Sequence, residues 1–191
     1  SYGVQLDPQA HRTVALVGES GSGKSALIKT LLDESFPNAA QVWFGPDTLE
    51  LALNEAARTS LGINQPLVDL LDASPRADNF LVIDAAERLG HDSTLKAKAL
   101  IESLKRRNAS EASIGWHVLI VGQTEAWARG TLQELAGTAS PSNFEVEGLR
   151  DETVKDVLRS VADLEWLGMD SDAVSTLRNL RSLAWVIQAA S

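Results

Sequence analysis

One octapeptide constrains the fold of this chain more than any other feature. Gly18-Glu19-Ser20-Gly21-Ser22-Gly23-Lys24-Ser25 satisfies G-x-x-x-x-G-K-[ST] at every fixed position, and each fixed residue type has a physical reason. Glycines let the backbone curl tightly, so that successive N–H groups point inward at phosphate oxygens. A helix following directly adds the positive end of its dipole. The Lys24 ammonium is placed to reach the β and γ phosphates, and the Ser25 hydroxyl to hold Mg²⁺. The flanks fit this geometry. Thr13-Val14-Ala15-Leu16-Val17 is a compact apolar run, and beyond Lys24 the residues Ala26, Leu27, Leu31 and Leu32 recur at helical spacing. Strand, loop and helix in this order predict a phosphate cradle made of Gly18, Glu19, Ser20, Gly21, Ser22, Gly23, Lys24, Ser25 and Ala26, with a nucleotide as its ligand.

The rest of the chain alternates short apolar runs with helical stretches. Gln41-Val42-Trp43-Phe44, Phe80-Leu81-Val82-Ile83 and Val118-Leu119-Ile120-Val121 read as further strands, the last two apolar enough to be covered on both faces. Residues 49–58, 67–71 and 94–107 read as helices, the last with a solvated Lys/Arg face and a solvated end at Lys105-Arg106-Arg107. Strands alternating with helices imply crossover connections, hence an α/β fold with a mostly parallel sheet and helices on both sides. After Phe144 no strand is expected. Residues 151–161 and 171–190 are helical, and Val154, Val157, Leu158 and Val161 share one helix face. A boundary near Ser140-Pro141-Ser142-Asn143 separates a core, residues 1–146, from a small helical segment, residues 147–191, that should pack on it.

The strand ending at Asp84 supplies the second acidic element. Beside a cradle of this kind, the strand next to the first delivers such a carboxylate to Mg²⁺, usually through water. Hydrolysis also needs a group that orients or deprotonates the attacking water. Ala85 and Ala86 cannot do this; Glu87 can. The plainer alternatives are a strand-end turn residue for Asp84 and a first-turn helix acid for Glu87.

The cradle, Val42-Trp43-Phe44 and Leu81-Val82-Ile83-Asp84-Ala85-Ala86-Glu87 together resemble P-loop NTPases of the STAND class, the NACHT and NB-ARC domains, which are related to AAA+ ATPases. The resemblance implies a three-layer P-loop NTPase fold followed by a partial helical lid. NACHT-type proteins carry an acidic residue three positions after the Mg²⁺ Asp, where this chain has Glu87. AAA+ proteins carry Glu directly after the Asp, where this chain has Ala85. Phe144-Glu145-Val146-Glu147-Gly148-Leu149 resembles the entry to such a lid. Leu180-Arg181-Ser182-Leu183-Ala184-Trp185 stands where NB-ARC proteins have Gly-Leu-Pro-Leu, without the proline that borders the nucleotide. Relatives sense the γ-phosphate from the end of the fourth strand, which points to Gln123 and then Thr124. A charge-neutralising arginine is common in oligomeric relatives, and Arg129, Arg150 and Arg178 are its candidates.

Composition excludes several other classes. The chain has no cysteine, so it has neither a disulfide scaffold nor a thiolate site. His11, His91 and His117 show no metal spacing and read as surface or loop residues. The five tryptophans are scattered, as core or interface residues are. No apolar run approaches the roughly 20 residues of a membrane span. A net charge of −9 argues against broad nucleic-acid binding. No Asn-Lys-x-Asp element follows the fourth strand, which favours ATP over GTP, and no Arg-rich closing segment of a small-molecule kinase follows Val121. A start at Ser1 reads as a piece of a longer chain. The expectation is a cytoplasmic ATP-binding switch ATPase with ATP or ADP and Mg²⁺, from a multidomain signalling or antiviral defence protein. Its nucleotide state would control homo-oligomerisation through the parent's other domains. The alternatives are a nucleotide-gated scaffold that hardly turns over and an AAA+ motor acting on nucleic acid or protein.

Overall fold

Parallel strands cannot be joined by a tight hairpin, so an alternating chain must pass a helix across the sheet between successive strands. The computed structural model describes residues 13–73, 78–110, 115–137, 142–161 and 163–190. Strands β1 (Thr13–Gly18), β2 (Ala40–Phe44), β3 (Asp78–Ile83), β4 (Gly115–Gly122) and β5 (Ser142–Val146) form one sheet in the order β2-β3-β4-β1-β5. Every neighbouring pair is parallel.

Period-two alternation sends successive side chains to opposite faces. Phe80 and Val82 of β3, with Leu119 and Val121 of β4, pack against Ile28 and Leu32 of α1 (Lys24–Ser35). Leu81, Ile83, Val118 and Ile120 pack on the other face against Leu100, Ile101 and Leu104 of α5 (His91–Ser110). The sheet is thus covered on both sides, in three layers, as the apolar runs predict.

Two expectations about the sheet are corrected. The strand carrying Asp84 does not lie beside β1; β4 is inserted between them. A fifth strand, β5, pairs with β1 from Val14↔Ser142 to Gly18↔Val146. It is an edge strand whose only apolar side chains are Phe144 and Val146, too few for a legible period. The boundary expected near Ser140-Pro141-Ser142-Asn143 falls partly outside the described residues and partly within β5.

Capping by Asn and Asp side chains divides the helices further than periodicity suggests. The stretch 49–58 is two helices, α2 (Pro46–Leu53) and α3 (Glu55–Ser60). Asn54 between them has extended dihedrals, and its side chain accepts the Ala57 N–H at 3.1 Å, the N-cap preference of Asn. After α4 (Leu67–Asp72), α5 runs past Arg107 to Ser110, and its cationic end is not simply solvated. Lys105 donates to the Ala136 carbonyl at the end of α7 (Thr131–Ala136), 2.8 Å away. Arg107 pairs with Asp69 at 2.7 Å and with Asp72, tying α5 to α4.

The C-terminal helices α8 (Asp151–Ser160), α9 (Ser171–Leu177) and α10 (Leu180–Ala190) have their own apolar core. Val154 and Leu158 are fully buried in it, with Val157 and Val161 packed alongside, which is the face expected of α8. The stretch 171–190 is not one helix: the chain leaves helical geometry before Leu180. Asp170 caps α9, accepting N–H groups of Asp172 at 2.8 Å and Ala173 at 3.2 Å. Asp170→Ala is expected to cost about 1 kcal/mol of stability, read as a lower denaturant midpoint at unchanged slope.

Candidate nucleotide-binding site

The loop between β1 and α1 owes its shape to glycine. Gly21 and Gly23 hold φ of 84° and 91°, in the left-handed region that side-chain-bearing residues rarely adopt. The Ser22 N–H closes a turn onto the Glu19 carbonyl at 3.2 Å. Gly23 is also the N-cap of α1, and having no side chain it leaves that helix end uncapped. The first N–H groups of a twelve-residue helix therefore remain available to an anion.

Lys24 is turned back over this loop. Its Nζ donates to the Gly18 carbonyl at 2.9 Å, the Glu19 carbonyl at 2.6 Å and the Ser22 hydroxyl at 3.4 Å. Partial burial lowers the pKa of the ammonium, while Glu87, Asp84 and Glu125 pull it upward and Arg181 adds to the lowering. Two cations, Lys24 and Arg181, and three carboxylates, Glu87, Asp84 and Glu125, thus act on one another around the loop.

Although β4 separates β1 from β3, the first residues of α1 reach across the strand ends. Ser25 Oγ donates to Asp84 Oδ2 at 2.7 Å, joining residues 59 apart in sequence. Hydroxyl and carboxylate are hard oxygen donors of the kind Mg²⁺ takes when it completes its shell with phosphate and water. Among the described residues no cluster of three His, Cys, Asp or Glu could hold a metal by itself. Asp84 is fixed by its own backbone: its N–H donates to the Phe44 carbonyl at 2.8 Å, and its Oδ1 accepts the Ala85 N–H at 2.9 Å.

Ala85 has φ 52° and ψ 42°, a conformation that is uncommon outside glycine. This turn, continued by the short 3₁₀ segment Ala86–Arg88, buries Ala86 and brings Glu87 back to the cavity wall. Glu87 Oε2 is buried with no hydrogen-bond partner. A Cβ at position 122 would stand 3.0 Å from that oxygen, so Gly122 at the end of β4 makes the space for it.

These groups line a cavity of about 460 Å³. Of the expected residues, Ser20, Gly21, Gly23, Lys24, Ser25, Ala26, Asp84, Glu87 and Gln123 line it, whereas Gly18, Glu19 and Ser22 do not. Gly18 instead lies against β5, where a Cβ would meet the Val146 carbonyl at 2.5 Å. Thr124, the second choice at the end of β4, is turned away and donates to Glu145 at 3.1 Å. Arg129, Arg150 and Arg178 are absent from the lining; Arg178 Nε is engaged by the Leu149 carbonyl at 2.8 Å.

The residue that sequence reasoning missed is Arg181. It lines the cavity from the start of α10, beside Leu180. Its backbone N–H donates to the Gly21 carbonyl at 3.3 Å, and Asn179 Nδ2 donates to the Ser20 carbonyl at 2.6 Å. Nothing local marks an arginine as facing an anion site 157 positions back from it in the chain, counting from Lys24 to Arg181. Of the histidines, His11 lies outside the described residues and His91 opens α5. His117 is not a loop residue: it lies in β4 and stacks on Phe80 with ring centroids 5.0 Å apart. Trp116 is buried, while Trp166 and Trp185 are exposed. Among the described residues no helix is long and apolar enough to cross a membrane.

Comparison with known proteins agrees with this geometry. Residues 2–126 match the family described as ABC transporter. The ATP-dependent lipid A-core flippase of Francisella novicida is 31% identical over 139 residues, covering 70% of this chain and 22% of that protein. Among solved structures, the Aeropyrum pernix ORC1 protein in complex with DNA superposes with a TM-score of 0.61 at 15% identity, over 93% of this chain and 53% of that one. AMPPCP-bound DnaA from Aquifex aeolicus gives 0.56 at 12%, over 95% and 55%. Domain III of the Thermotoga maritima replication initiation protein DnaA gives 0.60 at 14%, over 93% and 74%. The chain spans about a fifth of the flippase and about half of the ORC1 chain. At such identities the structural likeness establishes the fold, a three-layer P-loop NTPase, while the sequence match over 2–126 establishes kinship: the chain is a nucleotide-binding P-loop NTPase domain and belongs to the ABC transporter family.

Proposed function

We propose that this chain is an ATP-binding switch domain of a larger signalling or defence protein, hydrolysing slowly and reporting its nucleotide state through the C-terminal helices. The observation that carries this reading is the direct bonding of those helices to the phosphate loop, Asn179 to Ser20 and Arg181 to Gly21. On this reading residues 1–146 are the core and 147–191 a partial lid. The loop N–H groups and Lys24 bind phosphates, and Arg181 adds a second cation from the lid side. Ser25 and Asp84 hold Mg²⁺ through oxygen; when bound, the ion neutralises charge on the phosphates. Glu87 orients and deprotonates water, and Gln123 reads the terminal phosphate from the end of β4. A shift of α10 on the loop would then be carried to neighbouring domains and to a second copy of the chain.

The STAND-like placement of an acid at Glu87, with Ala85 directly after Asp84, supports a switch over an AAA+ motor. The net charge of −9 weighs against nucleic acid as the partner, since backbone phosphates are bound by basic surface.

Titration with ATP in the presence and absence of Mg²⁺ tests the reading. Asp84→Ala should lose at least tenfold in affinity with Mg²⁺ and little without it, one charge-assisted contact being worth about 1.5–3 kcal/mol. Equal losses under both conditions would make Asp84 a structural residue. No heat with the unmodified chain would remove the nucleotide site.

A further inference from the structure

The phosphate loop has two sides. Ser20, Gly21 and Gly23 line the cavity, and two of the loop's carbonyls, those of Ser20 and Gly21, are taken by the start of α10. The Asn179 side chain does this work in both directions. Its Oδ1 accepts the N–H of Arg181 at 3.0 Å and of Ser182 at 3.4 Å, which caps α10. Its Nδ2 donates to the Ser20 carbonyl at 2.6 Å, across 159 positions of chain. A flipped amide would set oxygen against oxygen and nitrogen against nitrogen, so one orientation satisfies both ends. The approach is close: a Cβ on Gly21 would fall 2.5 Å from Asn179 Oδ1 and 2.9 Å from the Arg181 Cβ.

We propose that Asn179 is a positioning residue that tethers the lid to the phosphate loop, fixing Arg181 at the cavity and slowing release of bound nucleoside triphosphate. The inference rests on the nucleotide-binding reading above and adds to it a specific determinant of residence time. The tether uses carbonyls and leaves the loop N–H groups to the phosphates, so loop and lid are held together while the site is filled. Loss of the tether frees α10 to move away with Arg181 and opens the path out.

Capping and tethering are separable by substitution. Asp and Ser are N-caps about as good as Asn, but a carboxylate has no hydrogen for the Ser20 carbonyl, and Ser is too short to span the same contacts. Release of mant-ATP with Mg²⁺ from the full chain, chased with excess ATP in a stopped-flow instrument, is the measurement. Asn179→Ser and Asn179→Asp should both release about 5–10-fold faster than wild type, the worth of one hydrogen bond, with melting temperatures close to wild type. Release at the wild-type rate in both variants overturns the tether, as does acceleration confined to Asn179→Asp, which would be the effect of the added charge. A fall in melting temperature with unchanged release reduces Asn179 to a cap and also overturns it. If wild type fails to bind mant-ATP, the nucleotide reading fails and the tether with it; binding by wild type with unaltered variants sinks the tether alone.

Discussion

Lys24→Ala is expected to lower the affinity for Mg²⁺-ATP by on the order of 10²–10³-fold, because charge-assisted hydrogen bonds to phosphate are worth about 1.5–3 kcal/mol each. In the free protein the ammonium is not idle in solvent. It rests on the Gly18 and Glu19 carbonyls and has to leave them to reach a phosphate. Those acceptors lie at the mouth of the loop, one of the two bonds being exposed, so water can replace the lysine after truncation. The left-handed glycines and the β1–β5 pairing that shape the loop do not involve the side chain. Loss of binding with a near-wild-type melting curve is therefore the expected pair of results, by isothermal titration and thermal denaturation. Affinity close to wild type would remove the cradle from its assigned role.

Glu87→Gln should leave binding intact and slow phosphate release by about 10²–10⁴-fold, the usual contribution of a general base. The substitution is nearly isosteric, so the fit against Gly122 is kept. What disappears is the basicity of a carboxylate that lines the cavity and whose Oε2 is buried without a partner. Turnover of the chain alone is expected below about 1 s⁻¹. A charge-neutralising arginine supplied by a neighbouring subunit is worth roughly 10³–10⁵ in rate, and the chain alone offers the cavity Arg181 but not Arg129, Arg150 or Arg178. The comparison thus needs a radiolabelled phosphate assay followed over hours. Identical release from Glu87→Gln and wild type would favour a nucleotide-gated scaffold over a hydrolysing switch. Fast release independent of protein concentration would instead mark an enzyme with all its catalytic groups in one chain.

Arg181 bears on both results. Its charge adds to the lowering of the Lys24 pKa, which places the two cations close enough to repel in the free protein. Both cations line the same cavity, so a polyanion bound there would meet positive charge from the loop and from α10.

The parts of this protein whose physics is local are legible in its amino-acid order. The cradle follows from glycines at fixed spacing, because a left-handed turn and an uncapped helix start are decided within a few residues. The buried runs of β3 and β4 and the apolar face of α8 are periodic, and period alone assigns their faces. Asp84 stands out as a candidate in the sequence because it follows an apolar strand directly, and Glu87 because it is the next acidic residue after it. The strand order that inserts β4 between β1 and β3, the contact of Ser25 with Asp84, and the edge strand β5 emerge from long-range packing. Strand order is a competition among long-range packings, and no local signal records its outcome. Asn54 and Asn179 show the same limit on a smaller scale. Asn is tolerated inside a helix and favoured before one, so whether it ends a helix depends on what its amide finds. Asn179 caps α10 locally through its Oδ1, but the Ser20 carbonyl that takes its Nδ2 comes within reach only when the C-terminal helices, built around their own core, settle on the phosphate loop.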